Sequence, residues 1–399
     1  MSNAQPSPPL IALGDLPMRD DPAAAYSTLR NAGPVVDLGN GDVAITDADE
    51  IKRALREPYP FSSALAFSGL ASPIPLIPIS IDPPDHARFR KMLDPFFNPK
   101  KLAGIEPELR AQVGDIIDSF VADGHADIVA QLAIPYPTQV FLTLFGLPLE
   151  DRDMFLGWKD AILGAVDNEG ADLDKARRTA AGELYKYLAG YIEQRRGNSD
   201  GDDLLTKLLA EQDSENGMTD QEIIGMGFLL VIAGLDTVTA ALSMSFAHFA
   251  QREDLRQQIL DDFSIVPTAV EELLRVEAPI WEVPRVTSDH VDIMGTALPA
   301  GSRVRVVLGA ANRDPETYED ADEIRFDRGR QPHYTFGGGP HRCLGSHLAR
   351  LELKLVIEEF HKRIPNYRLA PDTDLRIEWP AGVRKINSLP IEFETGQPT

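Results

Sequence analysis

Residues 336–345 read FGGGPHRCLG, and they contain the only cysteine among 399 residues, Cys343. Three glycines precede this cysteine, a fourth follows it, and a helical pattern begins at Ser346. A single cysteine excludes an intrachain disulfide and every metal site built from several cysteines. Glycines allow a tight turn and the close approach of a flat group, and a helix N-terminus favours a thiolate. The pattern predicts a ligand-binding thiolate, although a lone cysteine by itself is more often a small buried hydrophobe.

This run resembles the heme-binding loop of the cytochrome P450 family, Phe-Gly-x-Gly-x-His-x-Cys-x-Gly, at every fixed position. The resemblance implies that Cys343 is the axial ligand of the iron in heme b (iron protoporphyrin IX), with Phe336 also beside the cofactor. It further implies one large triangular domain over residues 1–399, mainly α with small β-sheets, in which residues 1–20 are irregular. A thiolate ligand favours O–O cleavage on the iron. The implied enzyme is an oxidoreductase, a heme-thiolate monooxygenase.

The composition narrows the classes of function that remain. The hydrophobic content of 43% is typical of a globular protein with a large core. The net charge of −23 argues against nucleic acid as a partner, because phosphate binding needs clustered Lys and Arg. The N-terminus is rich in proline and lacks signal-peptide character, and the longest apolar run, 223–235, is too short to span a bilayer. We expect a cytoplasmic protein without a membrane anchor.

Most of the chain has helical patterns. Residues 23–31 predict a helix, and residues 35–45 predict a hairpin with Asn-Gly at its turn. Further strands are predicted within 290–308 and at 389–393. Capping-box spacing at the start of 219–250 predicts one unusually long helix.

The middle of that long helix breaks the usual rules of helix composition. Residues 233–237 read AGLDT, and a buried acid and hydroxyl in an apolar helix are costly unless they are used. In isolation, Thr237 would be expected only to bond a carbonyl one turn earlier. The segment is similar to the family motif Ala/Gly-Gly-x-Asp/Glu-Thr. The similarity implies that Gly234 leaves room for O2, that Thr237 hydrogen-bonds the oxygen, and that Asp236 relays protons from solvent.

Four basic residues match the family positions that hold the two heme propionates. His86 and Arg90 lie four residues apart after a good helix start, so they share one helix face. Arg285 and His341 complete the implied set. Buried carboxylates need cationic partners, whereas any one of these residues by itself would be assigned to the surface.

Glu272 and Arg275 match the family sequence Glu-x-x-Arg, and their spacing places both on one helix face. The resemblance implies a buried structural ion pair that supports the cysteine loop. Arg330 is the expected third member, and Arg328 is its rival.

The substrate pocket is expected to be lined by apolar segments that suit a hydrophobic small molecule. The named candidates are Ile232, Ala233, Trp281 and Val283, and the segments are 61–81, 228–233, 280–283 and 381–383. An apolar lining is also what core packing requires, so it does not select one substrate class.

Electrons have to come from another protein, because the chain shows no Gly-x-Gly-x-x-Gly dinucleotide fingerprint. The resemblance implies an iron–sulfur ferredoxin with an NAD(P)H-dependent reductase, and O2 as the oxidant. An acidic ferredoxin needs local positive charge for docking, and the candidates are Arg342, Lys91, Lys100 and Lys101.

Three alternatives remain open from the residues. A peroxide-driven peroxygenase normally lacks the acid–alcohol pair that this chain has at residues 236 and 237. A non-enzymatic heme-thiolate ligand sensor would be expected to carry a signalling segment, and none is apparent. A cysteine hydrolase is disfavoured because Cys343 and His341 are only two residues apart, unlike the usual separated nucleophile and base.

Overall fold

The computed structural model describes residues 7–64, 66, 74–163, 171–197, 200–329 and 331–395. Helices dominate these residues, as the sequence predicts. In chain order they are α1 Pro22–Ala32, α2 Ala48–Arg56, α3 His86–Leu93, α4 Pro99–Asp118, α5 Pro135–Phe145, α6 Arg152–Leu163, α7 Ala171–Arg195, α8 Leu204–Ala210, α9 Asp220–Gln251, α10 Glu253–Asp261, α11 Val266–Val276, α12 Leu308–Asn312 and α13 Ser346–Arg363.

The strands form small sheets at the edges of the helical body. They are β1 Val35–Asp37, β2 Asp42–Ile45, β3 Phe61–Ser62, β4 His125–Asp127, β5 Val283–Thr287, β6 Val291–Ile293, β7 Thr296–Leu298, β8 Arg303–Val306, β9 Tyr367–Leu369 and β10 Pro390–Phe393. The largest sheet has the order β1-β2-β8-β5-β3, the second β4-β10-β9, and β6 pairs with β7. The predicted hairpin is confirmed, since β1 and β2 pair antiparallel with Val35 opposite Ile45.

Helix α9 begins where the capping box predicts. The hydroxyl of Thr219 accepts the Glu222 N–H, and the Glu222 carboxylate accepts the Thr219 N–H at 2.8 Å. The helix is long and apolar enough to cross a membrane by length and composition alone, but 78% of its most apolar window is buried inside the protein. That burial is what a central core helix requires.

Two of the apolar cores meet at α9, and a third lies apart from it. One joins α9 to α4, α5, α11 and α13, and a second joins its first half to α6, α7 and α8. The third core lies between the N-terminal segment and the largest sheet. A helix shared by two cores is held from several sides, so residues in its middle have a fixed position.

The N-terminal segment packs against the largest sheet through short turns. Residues Leu13–Asp15 and Pro17–Arg19 form short 3₁₀ turns, and Leu10 forms a β-bridge with Asp37. Met18 is fully buried, and its apolar contacts explain why this segment is held against the sheet. Residues 7–20 thus contain two short turns and one bridge but no α-helix or β-strand, and residues 1–6 lie outside the described part of the chain.

Candidate functional site

The cysteine loop is shaped by two glycines with positive φ. Gly337 and Gly339 have φ values of 64° and 62°, which residues with a side chain adopt only at a cost. A Cβ on Gly339 would stand 2.3 Å from the carbonyl oxygen of Leu55, so the loop can press against α2 only with glycine there. The Cys343 N–H donates to the Phe336 carbonyl at 2.9 Å and closes the loop just before α13.

The Cys343 thiol faces a large cavity. Burial raises the pKa of this thiol, although the Gly345 backbone N–H and the charges of Arg90, Arg342 and Arg350 act in the opposite direction. The Gly345 N–H at the start of α13 thus acts in the direction that favours a thiolate, as the sequence predicts. A coordinated metal ion deprotonates a thiol outright.

Two histidines lie together beside this thiol. The rings of His86 and His341 are 4.4 Å apart between centroids. The Nε2 atom of His86 and both ring nitrogens of His341 are buried and have no hydrogen-bond partner among the described residues. The Asp82 carboxylate is 3.7 Å from His341 Nε2, which is too long for a hydrogen bond. Burial, then the charges of Arg285 and His86, lower the pKa of His341 to about 3.

The two arginines of the predicted set line the same cavity but are held differently. Arg285 is 4% exposed, and the hydrogen bond that holds it runs from Nη1 to the Pro284 carbonyl at 2.7 Å. Burial lowers the pKa of Arg285 to about 10. Arg90 is bound to Asp94 at 2.8 Å and to the Arg342 carbonyl at 2.6 Å. Arg285 is thus a buried cation on the cavity wall, and a buried cation needs an anionic partner.

On the other side of the cavity, α9 presents small and hydroxyl side chains. A Cβ added to Gly234 would meet nothing within 4 Å, so this position borders open cavity space. Thr237 lines the cavity and donates its hydroxyl to the Ala233 carbonyl at 2.9 Å. Thr237 therefore makes the hydrogen bond expected of an isolated threonine in a helix, and it also lies on the cavity wall.

Asp236 does not line the cavity. Its carboxylate is buried and accepts Lys159 Nζ at 2.5 Å and Lys385 Nζ at 3.2 Å. Burial raises the pKa of Asp236, but the charges of the two lysines lower it further than burial raises it, so the pKa lies below its usual value. Sequence reasoning missed both lysines. One signal existed, because Lys159 lies on the apolar face of α6 between Phe155 and Ile162.

The cavity has a volume of about 1400 Å³, with mostly apolar walls. Of the predicted pocket residues, Ile232, Ala233 and Val283 line it. The predicted segments also contribute residues to the lining, namely 66, 77–79, 229, 230, 280, 382 and 383. Residues 65 and 67–73 of the first segment lie outside the described residues. Most of the lining is apolar, as expected. The carboxylate-bearing Glu282, which is bonded to Arg305 at 2.8 Å, also lines the cavity.

The prediction for Trp281 is wrong. Its side chain is 4% exposed and packs in the third core, edge-on to Trp379 with 5.1 Å between ring centroids. An edge-on aromatic contact of this kind stabilises a buried indole.

Behind the cysteine loop, Glu272 and Arg275 form a two-bond ion pair, with both N···O distances 2.8 Å. Arg328 Nε donates to the same carboxylate at 3.0 Å. Arg275 also donates to the Asn312, Ala321 and Glu323 carbonyls and so fixes the chain that leads to the loop. Arg330 lies outside the described residues, and Arg328 fills the third place.

These groups fit a flat cofactor that carries a metal and two carboxylates. The described residues contain no cluster of three or more His, Cys, Asp or Glu that could hold a metal, so a metal on Cys343 would need its other ligands from the cofactor itself. The partnerless ring nitrogens and the buried guanidinium of Arg285 offer donors for the carboxylates.

Comparisons with known proteins agree with this chemistry. The Cytochrome P450 family model matches residues 171–375. The chain is 34% identical over 309 residues to a mycinamicin IV hydroxylase/epoxidase of Micromonospora griseorubida, covering 76% of each protein. It is 31% identical to the cytochrome P450 monooxygenase PikC of Streptomyces venezuelae, covering 98% of this chain and 96% of the relative.

A solved structure shows the same fold. CYP109E1 from Bacillus megaterium in complex with testosterone aligns with a TM-score of 0.86 and 30% identity, covering 94% of this chain and 98% of that one. Together with the sequence relatives, this fold shows that the chain belongs to the cytochrome P450 family and is a P450 monooxygenase, an oxidoreductase that binds heme b.

Proposed function

We propose that this enzyme uses O2 and electrons from an iron–sulfur ferredoxin to hydroxylate or epoxidise a hydrophobic small molecule. The observation that supports this most is that Cys343, Gly234 and Thr237 line one cavity with mostly apolar walls. One relative is named as a mycinamicin IV hydroxylase/epoxidase, and the similar CYP109E1 structure is a complex with testosterone, which supports the proposed type of reaction and an organic small-molecule substrate. Residues 1–399 would act as one domain.

Heme b would be held by Cys343 as the ligand to the iron. His86, Arg90, Arg285 and His341 would bind its two carboxylates, because all four line the cavity near the thiol and three of them are buried or lack bonding partners. Phe336 and Gly234 would contact its two faces. Bound heme would supply the redox chemistry that activates O2.

Thr237 and Asp236 would move protons on the side of the cavity formed by α9. The Thr237 hydroxyl donates to Ala233 and can accept a hydrogen bond from a water or a ligand at the same oxygen. Asp236 is ionised and held by Lys159 and Lys385 on the far side of α9. The Asp236 carboxylate would have to release at least one lysine before it could pass a proton toward Thr237. The two lysines would therefore control how often the Asp236 side chain rotates.

A ferredoxin with an NAD(P)H-dependent reductase would dock beside the cysteine loop. Arg342 is exposed in this loop, and the exposed Lys91 follows Arg90, which is bonded to the Arg342 carbonyl. Lys100 is also exposed, whereas Lys101 is bound to Asp202 at 2.5 Å. Local positive charge is needed because the net charge of −23 repels an acidic partner. A cytoplasmic location would give such a partner access.

The carbon monoxide difference spectrum of the reduced protein tests this function. Heme-loaded protein reduced with dithionite should show the strongly red-shifted Soret band of thiolate-ligated heme. Cys343→Ser should bind less heme and lose that band. Replacing dithionite with NADPH, reductase and ferredoxin should produce the same band. Wild-type protein with heme but without the red-shifted band would refute Cys343 as ligand, and a band with dithionite alone would refute this electron donor.

A further inference from the structure

Three polar side chains beside the cysteine loop are bonded to one another. Glu271 of α11 accepts hydrogen bonds from Arg350 of α13, from Nη2 at 2.9 Å and also from Nε. The same carboxylate is bonded to His333 Nε2 at 3.2 Å. None of these three residues lines the cavity, so they are separate from the groups assigned to the heme carboxylates.

His333 adds no charge to this group. The Thr335 N–H donates to His333 Nδ1 at 3.3 Å, so Nδ1 is an acceptor and the ring proton lies on Nε2. His333 Nε2 therefore donates to the Glu271 carboxylate as a neutral imidazole. The two-bond contact with arginine keeps that carboxylate ionised. The group thus holds one positive charge, on Arg350, and one negative charge, on Glu271.

Phe336 connects this group to the thiol. The Arg350 guanidinium lies 4.3 Å from the centre of the Phe336 ring, and the His333 ring centre lies 5.8 Å from it. The Phe336 carbonyl accepts the Cys343 N–H at 2.9 Å, and both residues line the cavity. Burial raises the pKa of the Cys343 thiol, and the charge of Arg350 is one of those that act against burial. The positive charge of the pair therefore acts at the sulfur.

Reduction of a metal bound to this sulfur adds one electron, which is one unit of negative charge. Positive charge nearby stabilises the added electron, and negative charge nearby destabilises it. Groups around the axial ligand are among the levers by which a protein sets the potential of heme iron. In the Glu271–Arg350 pair the two charges largely cancel, so loss of either side chain leaves the other uncompensated.

We propose that Glu271 and Arg350 are positioning residues that set the reduction potential of the heme iron. Arg350 favours the added electron, Glu271 opposes it, and both act through Phe336 and the sulfur of Cys343. This proposal rests on the proposed function, because it requires Cys343 as the ligand to the iron. It extends that function from the source of the electrons to how readily the iron accepts the first of them.

A reductive titration of substrate-free, heme-loaded protein tests this proposal. Dithionite is added beside a redox dye, and the ratio of reduced to oxidised heme is read at a fixed ratio of reduced to oxidised dye. Glu271→Gln should raise this heme ratio at least about threefold, as one uncompensated charge in a partly solvated site would do. Arg350→Gln should lower the ratio by a similar factor. Arg350→Lys keeps the charge and should stay within about twofold of the wild type.

The matched control is the pair of Arg368 on β9 and Glu392 on β10. It is also an arginine–glutamate ion pair, but Arg368 is largely exposed and neither residue lines the cavity. Arg368→Gln and Glu392→Gln should therefore leave the heme ratio unchanged, because water screens charges on an exposed edge strand.

The sign of the shift separates an effect of charge from damage to the loop. Damage alone would move Glu271→Gln and Arg350→Gln in the same direction, and that result, or no shift in either variant, would overturn the proposal. An equal shift in Arg350→Lys and Arg350→Gln would overturn it as well. If Arg350→Gln does not load heme, the direction of the shift in Glu271→Gln still decides. Failure of the proposed function looks different, because the red-shifted carbon monoxide band would then be missing from the wild type.

Discussion

At the scale of single residues, the least expected group is Glu352. It lies on α13, is 3% exposed and lines the cavity. Its Oε2 atom has no hydrogen-bond partner among the described residues. Burial raises the pKa of Glu352 well above its usual value, so folding favours the neutral form of this carboxyl. Most other buried acids here, such as Glu272 and Asp236, are held by cations instead.

Glu352→Gln is therefore expected to stabilise the protein at pH 8 and to have little effect near pH 4.5. A raised folded-state pKa means that the carboxyl takes up a proton on folding. This costs about 1.4 kcal/mol for each pH unit above the unfolded-state pKa, until the folded-state pKa is reached. Glutamine keeps the shape without this cost. Urea unfolding midpoints of heme-loaded protein at pH 4.5 and pH 8 measure the difference.

Glu253→Gln, on the exposed surface of α10, is the control and should change neither midpoint appreciably. If Glu352→Gln destabilised the protein at pH 8, the carboxyl would have to be ionised and bound to a cation.

At the scale of elements, local signals located helices and turns but not the partners that meet across the fold. The capping box placed the start of α9, and Asn-Gly placed the turn between β1 and β2. No local sequence pattern predicts that β2 pairs in parallel with β8, which follows more than 250 residues later. Such pairings depend on how the helices in between pack, and that information is spread over the whole chain.

The same limit applies to the site. Family spacing brought Cys343, His341 and Thr237 to one cavity, because these residues belong to contiguous motifs. It did not identify Lys159 as the partner of Asp236, which lies 77 residues away on another helix. Trp281 was misplaced because an aromatic residue next to a pocket strand suits a core as well as a cavity wall.

The support beneath the cysteine loop gives a prediction at this scale. Glu272→Ala would strand Arg275 and Arg328, both of which are bound to this carboxylate. Breaking a buried pair by removing one partner costs about 3–5 kcal/mol, and Arg275 also fixes the backbone that leads to the loop. We expect little folded, heme-loaded protein, measured as the ratio of Soret to protein absorbance after purification. Glu253→Ala should load heme normally, and normal loading in Glu272→Ala would contradict the structural role.

At the scale of the whole molecule, many acidic side chains form ion pairs with basic ones. The chain has 62 acidic and 39 basic side chains. Several acids nevertheless have lowered pKa values where they meet arginine. Burial raises the pKa of Glu271, but its bonds to Arg350 and His333 lower it to about 2 overall. For Glu359, burial likewise raises the pKa, and bonds to Lys362, Arg363 and Arg110 bring it to about 2.

These pairs predict how stability depends on acid. A depressed folded-state pKa contributes stability that is present above the unfolded-state pKa of about 4.3. This stability is lost as the pH falls through the folded-state value near 2. Between pH 7 and the pI of about 4.7, protonation also relieves net negative repulsion. Thermal unfolding midpoints of heme-loaded protein should therefore change little from pH 7 to 5 and fall steeply below about 4.

Because Glu271 binds Arg350, whose guanidinium packs 4.3 Å from the Phe336 ring centre, Glu271→Gln should lower the midpoint at pH 7 and flatten the decline below pH 4. An equally steep decline in that variant would show that other carboxylates carry the acid sensitivity.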